Sequence, residues 1–414
     1  MFVRSTNKQM GAQGWGPADA STMRAHNVSM VLYSLIREEP ISRAALARKT
    51  GLARSTVTTI VTDLIDTGLV TESHVAASRG GRPPIALRVV GNRYHMVGVE
   101  LGASHITALR SDLMGGVREV VHEAFDVEGH PHDALRRVLE ILRPLLTNDD
   151  GGPVVGVGLA VPSPLDPSRP GLLSERILPK WSGIRPMDLL SRELGLPVYM
   201  ENDANLGVLA EAWWGAGQDR GDFAYIKLAT GVGSGLLIGG NIYRGSSGVA
   251  GEIGHTSVRS AGRRCRCGLI GCLEALAGTR AILDEARLRV AEEEFGPEEV
   301  RDLDDFLKHV RSGTPWAVEV ANRAGHDIGV AVANLVNLLN PGLVVLGGTL
   351  TGAGEHLLSP LLKSMRERSL GTSVESTEVV LSALGDTAIS RGAAALVLER
   401  VLAEPSTLLC APTV

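Results

Sequence analysis

Apolar residues near the start of the chain recur at the spacing of α-helices. Three successive segments carry this pattern, with inward positions at Val28, Val31, Leu32, Leu35 and Ile36, then Ala45 and Leu46, then Val57, Ile60, Val61, Leu64 and Ile65. The first segment runs from Arg24 to Glu38, Ser42 can cap the second, and Gly51 supplies a turn before the third. Two short helices joined by a four-residue turn with a glycine are typical of a helix-turn-helix.

The third helix and the segment after it carry donors suited to DNA. The exposed face at the start of the helix is Arg54, Ser55, Thr56, Thr58 and Thr59. Two apolar runs then flank the turn SRGGRPP, in which Arg79 and Arg82 border the glycines, as in the wing of a winged helix that enters a minor groove. A solvated helix face and an ordinary exposed loop are the alternatives. We expect a DNA-binding domain over residues 24–90, after a flexible tail at residues 1–23.

From Met96 the pattern becomes that of an α/β protein, and it occurs twice. Residues 96–110 and 223–238 each read as two strands around a glycine-containing turn, followed by further strands and helices. We interpret them as equivalent hairpins of two duplicated lobes, the actin-like (ribonuclease H-like) sugar-kinase architecture, with ligands in the cleft between the lobes. We expect the small lobe at residues 91–215, completed by a C-terminal helix at residues 386–403, and the large lobe at residues 216–385.

The net charge also differs between the part of the chain before residue 91 and the part after it. The 414 residues carry a net charge of −5, but residues 1–90 hold eleven Lys/Arg and six Asp/Glu, which leaves −10 for the other 324 residues. A basic N-terminal part on an acidic body favours contact with nucleic acid. No run of about 18 apolar residues predicts a membrane span, and the N-terminus lacks the apolar core of a signal peptide. We therefore expect a cytoplasmic protein with no membrane partner.

Three of the four cysteines crowd into eight residues. With one histidine they form the spacing H-x9-C-x-C-x4-C, at His255, Cys265, Cys267 and Cys272, whereas Cys410 lies apart. Three thiolates and an imidazole are a closed tetrahedral set for Zn²⁺, which leaves no position for a catalytic water. The sequence predicts a structural zinc site; three incidental buried cysteines are the alternative.

The segment GEIGHTSVRSAGRRCRCGLIGCLEALAG, residues 251–278, resembles the zinc-binding signature of the ROK family of repressors and sugar kinases. The block ISRAALARKTGLARSTVT and the GGRPP turn resemble the winged helix of ROK repressors, and residues 96–400 resemble the sugar-kinase-like body. The resemblance implies a sugar site at Asn202, Asp203, Glu252, His255 and Glu274. It also makes Asp203 the vestigial position of the kinase general base; a buried capping aspartate is the plainer alternative.

The two phosphate turns depart from the pattern of ROK kinases. Where those kinases read D-x-G-G-T-K, this chain has Glu100, Ala103 and His105, and the second turn begins with Ala229 in place of a glycine. Because phosphoryl transfer depends on positioning and electrostatics, these changes predict a regulator without catalysis. We expect a repressor that binds operator DNA as a homodimer or homotetramer and responds to a sugar or phosphosugar. An active ATP-dependent hexokinase that also binds DNA, and a body that serves only as a dimerisation scaffold, are the alternatives.

Overall fold

The computed structural model describes residues 20–74, 85–147, 151–292 and 300–409. The N-terminal elements are α1 (Ala20–Glu38), β1 (Ile41–Ser42), α2 (Arg43–Thr50), α3 (Arg54–Asp66), β2 (Val70–His74) and β3 (Ile85–Val89). The strands form an antiparallel sheet in the order β1-β3-β2 against the three helices, which is a winged helix. The predicted wing turn with Arg79 and Arg82 lies outside the described residues.

Local sequence explains where these helices begin and end. The Ser42 hydroxyl accepts a hydrogen bond from the Ala45 N–H at 3.3 Å and caps α2, and Gly51 ends that helix with φ of 72°. The turn to α3 spans residues 51–53, so the predicted four-residue turn is one residue too long. The first helix begins at Ala20, four residues before the predicted Arg24.

The small-lobe part of the body is built on a five-stranded sheet in the order β6-β5-β4-β7-β8. Its elements are β4 (His95–Leu101), β5 (His105–Asp112), β6 (Val117–Ala124), α4 (Pro131–Thr147), β7 (Val154–Val161), α5 (Pro186–Leu194), β8 (Val198–Asn202) and α6 (Asp203–Trp214). Strands β4, β5 and β6 are antiparallel, whereas β7 and β8 run parallel to β4.

A second five-stranded sheet repeats this topology in the order β11-β10-β9-β12-β13. The elements of this part are β9 (Phe223–Leu228), β10 (Val232–Ile238), β11 (Asn241–Ile242), α7 (Glu274–Ala277), α8 (Thr279–Glu292), α9 (Leu303–Arg311), α10 (Pro315–Leu339), β12 (Leu343–Gly347), α11 (Glu355–Arg368), α12 (Gly371–Ser376) and β13 (Glu378–Leu381). In both sheets an antiparallel hairpin is extended by two parallel strands, which confirms the predicted duplicated α/β architecture.

Helices α6 and α13 (Ala388–Ala403) pack between the two sheets, and the short α14 (Ser406–Leu409) follows. Glycines allow the close approach: a Cβ on Gly98 of β4 would lie 1.9 Å from the Ser390 carbonyl oxygen of α13. A Cβ on Gly235 of β10 would lie 2.1 Å from the Ala204 carbonyl oxygen of α6. Helix α6 therefore touches the large-lobe sheet directly while its first residues follow the last strand of the small-lobe sheet.

In the described part of the chain, the core of the winged helix is continuous with the core of the body. One continuous cluster of buried side chains joins α1 and α3 to α6 and α13, for example through Leu35, Val61, Trp213 and Leu398. Contacting buried side chains of this kind form one hydrophobic core. The DNA-binding end is thus joined to the helices between the lobes.

Candidate functional site

A cleft of about 490 Å³ lies between the two lobes. The end of β8, the turn between β9 and β10, and the segment before α8 contribute its walls. All five residues predicted for sugar binding line it: Asn202, Asp203, Glu252, His255 and Glu274. Convergent polar groups in a concave site between lobes suit a small polar ligand.

Asn202 ends β8 and caps α6. Its side-chain oxygen accepts hydrogen bonds from the N–H groups of Ala204 at 3.0 Å and Asn205 at 3.1 Å, and its amide donates to the Ser163 carbonyl at 3.3 Å. Asn202 is therefore the N-cap of α6, although Oδ1 of Asp203 also accepts a hydrogen bond from the Ala204 N–H, at 2.7 Å. The same bonds fix the orientation of the Asn202 amide at the edge of the cleft.

Asp203 is held by a lysine that sequence reasoning missed. Lys227 Nζ donates to Asp203 Oδ2 at 2.5 Å, and both side chains are nearly excluded from solvent. Burial alone would lower the pKa of Lys227, but the charges of Asp203 and Glu100 outweigh it and the pKa is raised. The available signal was one lysine inside the otherwise apolar strand FAYIKL.

Glu252 lies close enough to the carboxylates of Asp203 and Glu274 to be affected by their charges. Burial, with the charges of Asp203 and Glu274, raises the pKa of Glu252 to about 7, although Arg266 opposes this. Its Oε2 lies 3.8 Å from Nε2 of His255. A carboxyl group in this position can donate a hydrogen bond to a ligand hydroxyl when protonated and accept one when ionised.

Glu274 joins the second turn to the cysteine-rich loop. Its Oε2 accepts a hydrogen bond from the Val232 N–H at 3.2 Å, and its Oε1 pairs with Nε of Arg266 at 3.1 Å. In the same turn the Ala229 N–H donates to the Gly231 carbonyl at 3.1 Å. Two amide groups of this turn are therefore already bonded to oxygen atoms of the protein.

The first turn is closed by its own side chains. Glu100 is buried, and its Oε1 lies 3.3 Å from Nε2 of His105. A Cβ on Gly102 would lie 2.2 Å from the His105 ring, so the imidazole packs across the turn. Ala103 and His105 line the cleft, whereas Glu100 lies behind them.

The predicted metal ligands form one cluster. One ligand atom from each of His255, Cys265, Cys267 and Cys272 lies within 4.8 Å of all the others. Sγ of Cys267 and Sγ of Cys272 are 3.7 Å apart, and Sγ of Cys265 is 3.6 Å from Nδ1 of His255. Zn–S bonds of about 2.3 Å in a tetrahedron give S–S distances of about 3.8 Å, so the donor set fits Zn²⁺.

A backbone turn shapes this cluster and one ion pair anchors its loop. The Cys265 N–H donates to the Leu269 carbonyl at 2.8 Å, and Gly268 within the turn has φ of 94°. Outside the turn, Arg259 forms a bidentate pair with buried Asp327 of α10, at 2.8 and 2.9 Å. The loop is therefore tied to the helices of the large lobe.

The predicted DNA face is exposed at the start of α3. Arg54, Ser55, Thr58 and Thr59 are solvent-exposed, and Thr56 is partly buried. The Thr58 hydroxyl donates to the Arg54 carbonyl at 2.8 Å and the Thr59 hydroxyl to the Ser55 carbonyl at 3.1 Å. Their oxygen atoms can still accept hydrogen bonds from outside the helix.

Comparison with known sequences separates the chain into the same two parts. Residues 96–400 match the ROK family, and residues 26–80 match the MarR family. The chain belongs to the ROK family.

ROK relatives include both regulators and kinases. The xylose repressor of Caldicellulosiruptor bescii is 28% identical over 92% of this chain and 97% of its own length. The crystal structure of a ROK transcriptional regulator, a homologue of the Escherichia coli MLC protein, superposes with a TM-score of 0.78 at 26% identity, covering 94% of this chain and 99% of that one. The ROK glucokinase of Streptomyces griseus, solved with glucose and AMPPNP, has a TM-score of 0.65 at 28% identity and covers 73% of this chain and 98% of that one.

The likeness to the regulators therefore extends over more of this ROK chain than the likeness to the glucokinase. Among the described residues, no helix is both long and apolar enough to cross a membrane.

Proposed function

We propose that this ROK protein is a sugar-responsive transcriptional repressor that binds operator DNA and does not phosphorylate its effector. The observation that carries the proposal is a single helix, α6, which begins at Asn202–Asp203 in the cleft and ends against the winged helix. The repressor names of full-length relatives support the same function.

The far end of α6 is held by the first helix of the DNA-binding part. Nη1 of Arg37 in α1 donates to the Ala212 carbonyl at 2.7 Å and to the Trp213 carbonyl at 3.3 Å. A cation at the C-terminal carbonyls of a helix is favoured by both hydrogen bonding and the helix dipole. The Arg37 guanidinium also lies 5.3 Å from the centre of the Trp213 ring, and the Tyr33 ring meets the same indole edge-on.

These contacts provide a route from the cleft to DNA. A helix of 12 residues is about 18 Å long and moves as a rigid unit. An effector bound to Asn202, Asp203, Glu252, His255 and Glu274 contacts the N-terminus of α6 and the large lobe together. If it favours one closure of the lobes, it shifts α6, then α1, and then the position of α3 on its operator half-site.

Three local arrangements support a cleft without phosphoryl transfer. Lys227 neutralises Asp203, the carboxylate that would otherwise take a proton from the ligand hydroxyl. His105 pairs with Glu100, and Glu274 accepts the hydrogen bond of the Val232 N–H in the second turn. Groups that could hold magnesium or phosphate are thus bonded within the protein.

In this proposal the metal cluster binds Zn²⁺ for a structural purpose. His255, Cys265, Cys267 and Cys272 fill all four positions, and the loop places His255 and Glu274 at the cleft. The metal holds the loop in shape while the carboxylates and amides contact the sugar. A cytoplasmic homodimer or homotetramer completes the proposal, because two winged helices related by a two-fold axis match a symmetric operator.

Selection of duplexes from a random-sequence pool tests the DNA-binding part. We expect the full chain to enrich a two-fold symmetric sequence, and Arg54→Gln to weaken its binding while Arg192→Gln, an exposed arginine of α5, does not. Recovery of the starting pool without enrichment would contradict the proposal.

The second candidate function is an active sugar kinase. It is favoured by Asp203 in the cleft and by the likeness to a glucokinase. A coupled ADP-release assay across common hexoses and pentoses decides between the two. We expect no turnover above background; turnover with any of these sugars would overturn the non-enzymatic proposal.

A further inference from the structure

The cleft is lined by an unusual number of charged side chains. Its cationic residues are Lys227, Arg263, Arg264, Arg266 and Arg280, and its acidic residues are Glu128, Asp203, Glu252, Glu274 and Asp284. Neutral sugars are bound through carboxylates, amides and hydroxyls, and they do not require several arginines. The arginines therefore call for a separate explanation.

Three of the five cations already have acidic partners. Lys227 pairs with Asp203 as described above. Arg263 Nη1 lies 3.5 Å from Asp284 Oδ2. Arg266 contacts Glu274 at 3.1 Å and Glu128 at 3.6 Å, which links the two walls of the cleft.

Arg264 and Arg280 have no such partners. Both are exposed, and neither side chain makes an ion pair or hydrogen bond to any other residue in the described part of the chain. They come from different segments. Arg264 precedes Cys265, and its backbone pairs with Ile270; Arg280 lies in the first turn of α8.

Both backbones are well anchored near the cleft. The Thr279 N–H, next to Arg280, donates to the Ala229 carbonyl at 3.1 Å, which ties the start of α8 to the second turn. Arg264 and Arg280 line the same cleft from these two segments. Arginine suits an anion there, because a guanidinium group can donate two parallel hydrogen bonds to phosphate or carboxylate oxygens.

We infer that the effector is a sugar with an anionic substituent, a phosphate monoester or a carboxylate, and that Arg264 and Arg280 bind this substituent. The inference rests on the proposed function, since it specifies the ligand of the same cleft. The hydroxyl groups of the sugar contact Asn202, Glu252 and Glu274, while the anion lies toward the loop and α8.

An alternative role for Arg264 is electrostatic. Zn²⁺ with three thiolates has a net charge of −1, and a neighbouring arginine offsets that charge. This role predicts an effect of Arg264 on metal retention and none on the choice of ligand. It does not account for Arg280, which lies in α8 outside the cysteine loop.

Calorimetric titration with matched ligand pairs tests the inference. The pairs are glucose with glucose 6-phosphate, xylose with xylose 5-phosphate, and glucose with glucuronate; inorganic phosphate alone is a further probe. We expect the anionic member of at least one pair to bind about tenfold or more tightly than its neutral parent, with the difference reduced at high salt. The phosphate and carboxylate arms show which anion is preferred.

Variants assign the effect to the two arginines. Arg264→Gln and Arg280→Gln should each lower the affinity for the anionic ligand about tenfold and leave that for the neutral parent unchanged. Arg192→Gln is the matched control, and metal content is measured for every variant. Loss of metal in Arg264→Gln with unchanged ligand preference would establish the electrostatic role and overturn the inference.

The result also separates this inference from the proposed function. If neutral sugars bind as well as or better than their anionic partners, the anionic effector is wrong while the sugar-responsive regulator stands. If no sugar of either class binds, both fail. Binding of inorganic phosphate alone, with no preference between the sugars of a pair, would also overturn the inference.

Discussion

Lys227 Nζ lies 2.5 Å from Asp203 Oδ2 at the buried floor of the cleft. The pair joins strand β9 of the large lobe to the first residue of α6, so it connects the two lobes at the candidate sugar site. Removing one partner of a buried pair leaves an uncompensated charge, which costs more than the pair itself contributes.

Lys227→Met should therefore destabilise the fold by about 3 to 5 kcal/mol, because it leaves the Asp203 carboxylate buried without a cation. The double variant Lys227→Met/Asp203→Asn should regain most of this loss. Urea unfolding of the wild type, both single variants and the double variant measures the coupling. Additive effects of the two substitutions would show that the pair is not a unit.

Arg37 should carry the effector signal without contacting effector or DNA. We expect Arg37→Gln to keep both affinities within about threefold but to reduce the effector-induced change in DNA affinity from about tenfold or more to less than about threefold. Fluorescence anisotropy with labelled operator, at increasing effector concentration, measures this change. Arg192→Gln is the matched control, and an undiminished response in Arg37→Gln would exclude the contact with α6 as the route.

The metal cluster should bind one Zn²⁺ per chain and stabilise the large lobe. Cys267→Ser removes one of four ligands, so we expect loss of zinc, a lower Tm and weaker effector binding, since the loop also carries His255 and Glu274. Cys410→Ser, outside the described residues, is the control. Elemental analysis and thermal unfolding measure the two effects; a Cys267→Ser protein with full metal content would contradict the assignment.

We expect Glu399 to make the stability of the junction between α6 and α13 depend on pH. Burial raises the pKa of Glu399 from 4.5 to about 7, although the Trp213 indole N–H, at 3.4 Å, and the charges of Arg244 and Arg400 oppose this. The folded chain keeps a proton that the unfolded chain releases between these values. Protonated Glu399 therefore makes its full contribution to stability below about pH 4.5. This contribution is lost as the pH rises through about 7.

The variant Glu399→Gln should not lose this stability as the pH rises, because glutamine does not ionise. We expect its Tm to exceed that of the wild type at about pH 8 by roughly 2 °C or more, and to approach it near pH 4.5. Glu367→Gln, at an exposed position of α11, is the control. Parallel Tm curves for wild type and Glu399→Gln over the whole range would contradict the assignment.

Much of the fold follows from the sequence pattern. Helical spacing of Val57, Ile60, Val61 and Leu64 gives the buried face of α3, and alternating strands and glycine turns give both hairpins. The close cysteine spacing gives the metal cluster, because its ligands are near one another in sequence. Such features depend on local geometry, which a single sequence displays.

The contacts that connect the sites could not be predicted in the same way. Arg37 meets Ala212 across 175 residues, and Lys227 meets Asp203 from a different lobe. Neither pairing leaves a periodic signal, since each depends on how α6 packs between the sheets. The lysine within FAYIKL was the signal that sequence reasoning missed, because a lysine in a buried strand requires a compensating charge.

The most direct test of the central claim is the affinity of the full-length protein for its selected operator, measured by anisotropy with and without an effector found by calorimetry. We predict that the operator binds at least about 100-fold more tightly than a scrambled duplex at moderate salt, and that the effector weakens operator binding with little change for the scrambled duplex. Equal affinity for both duplexes, or operator binding that no cleft ligand alters, would contradict the account.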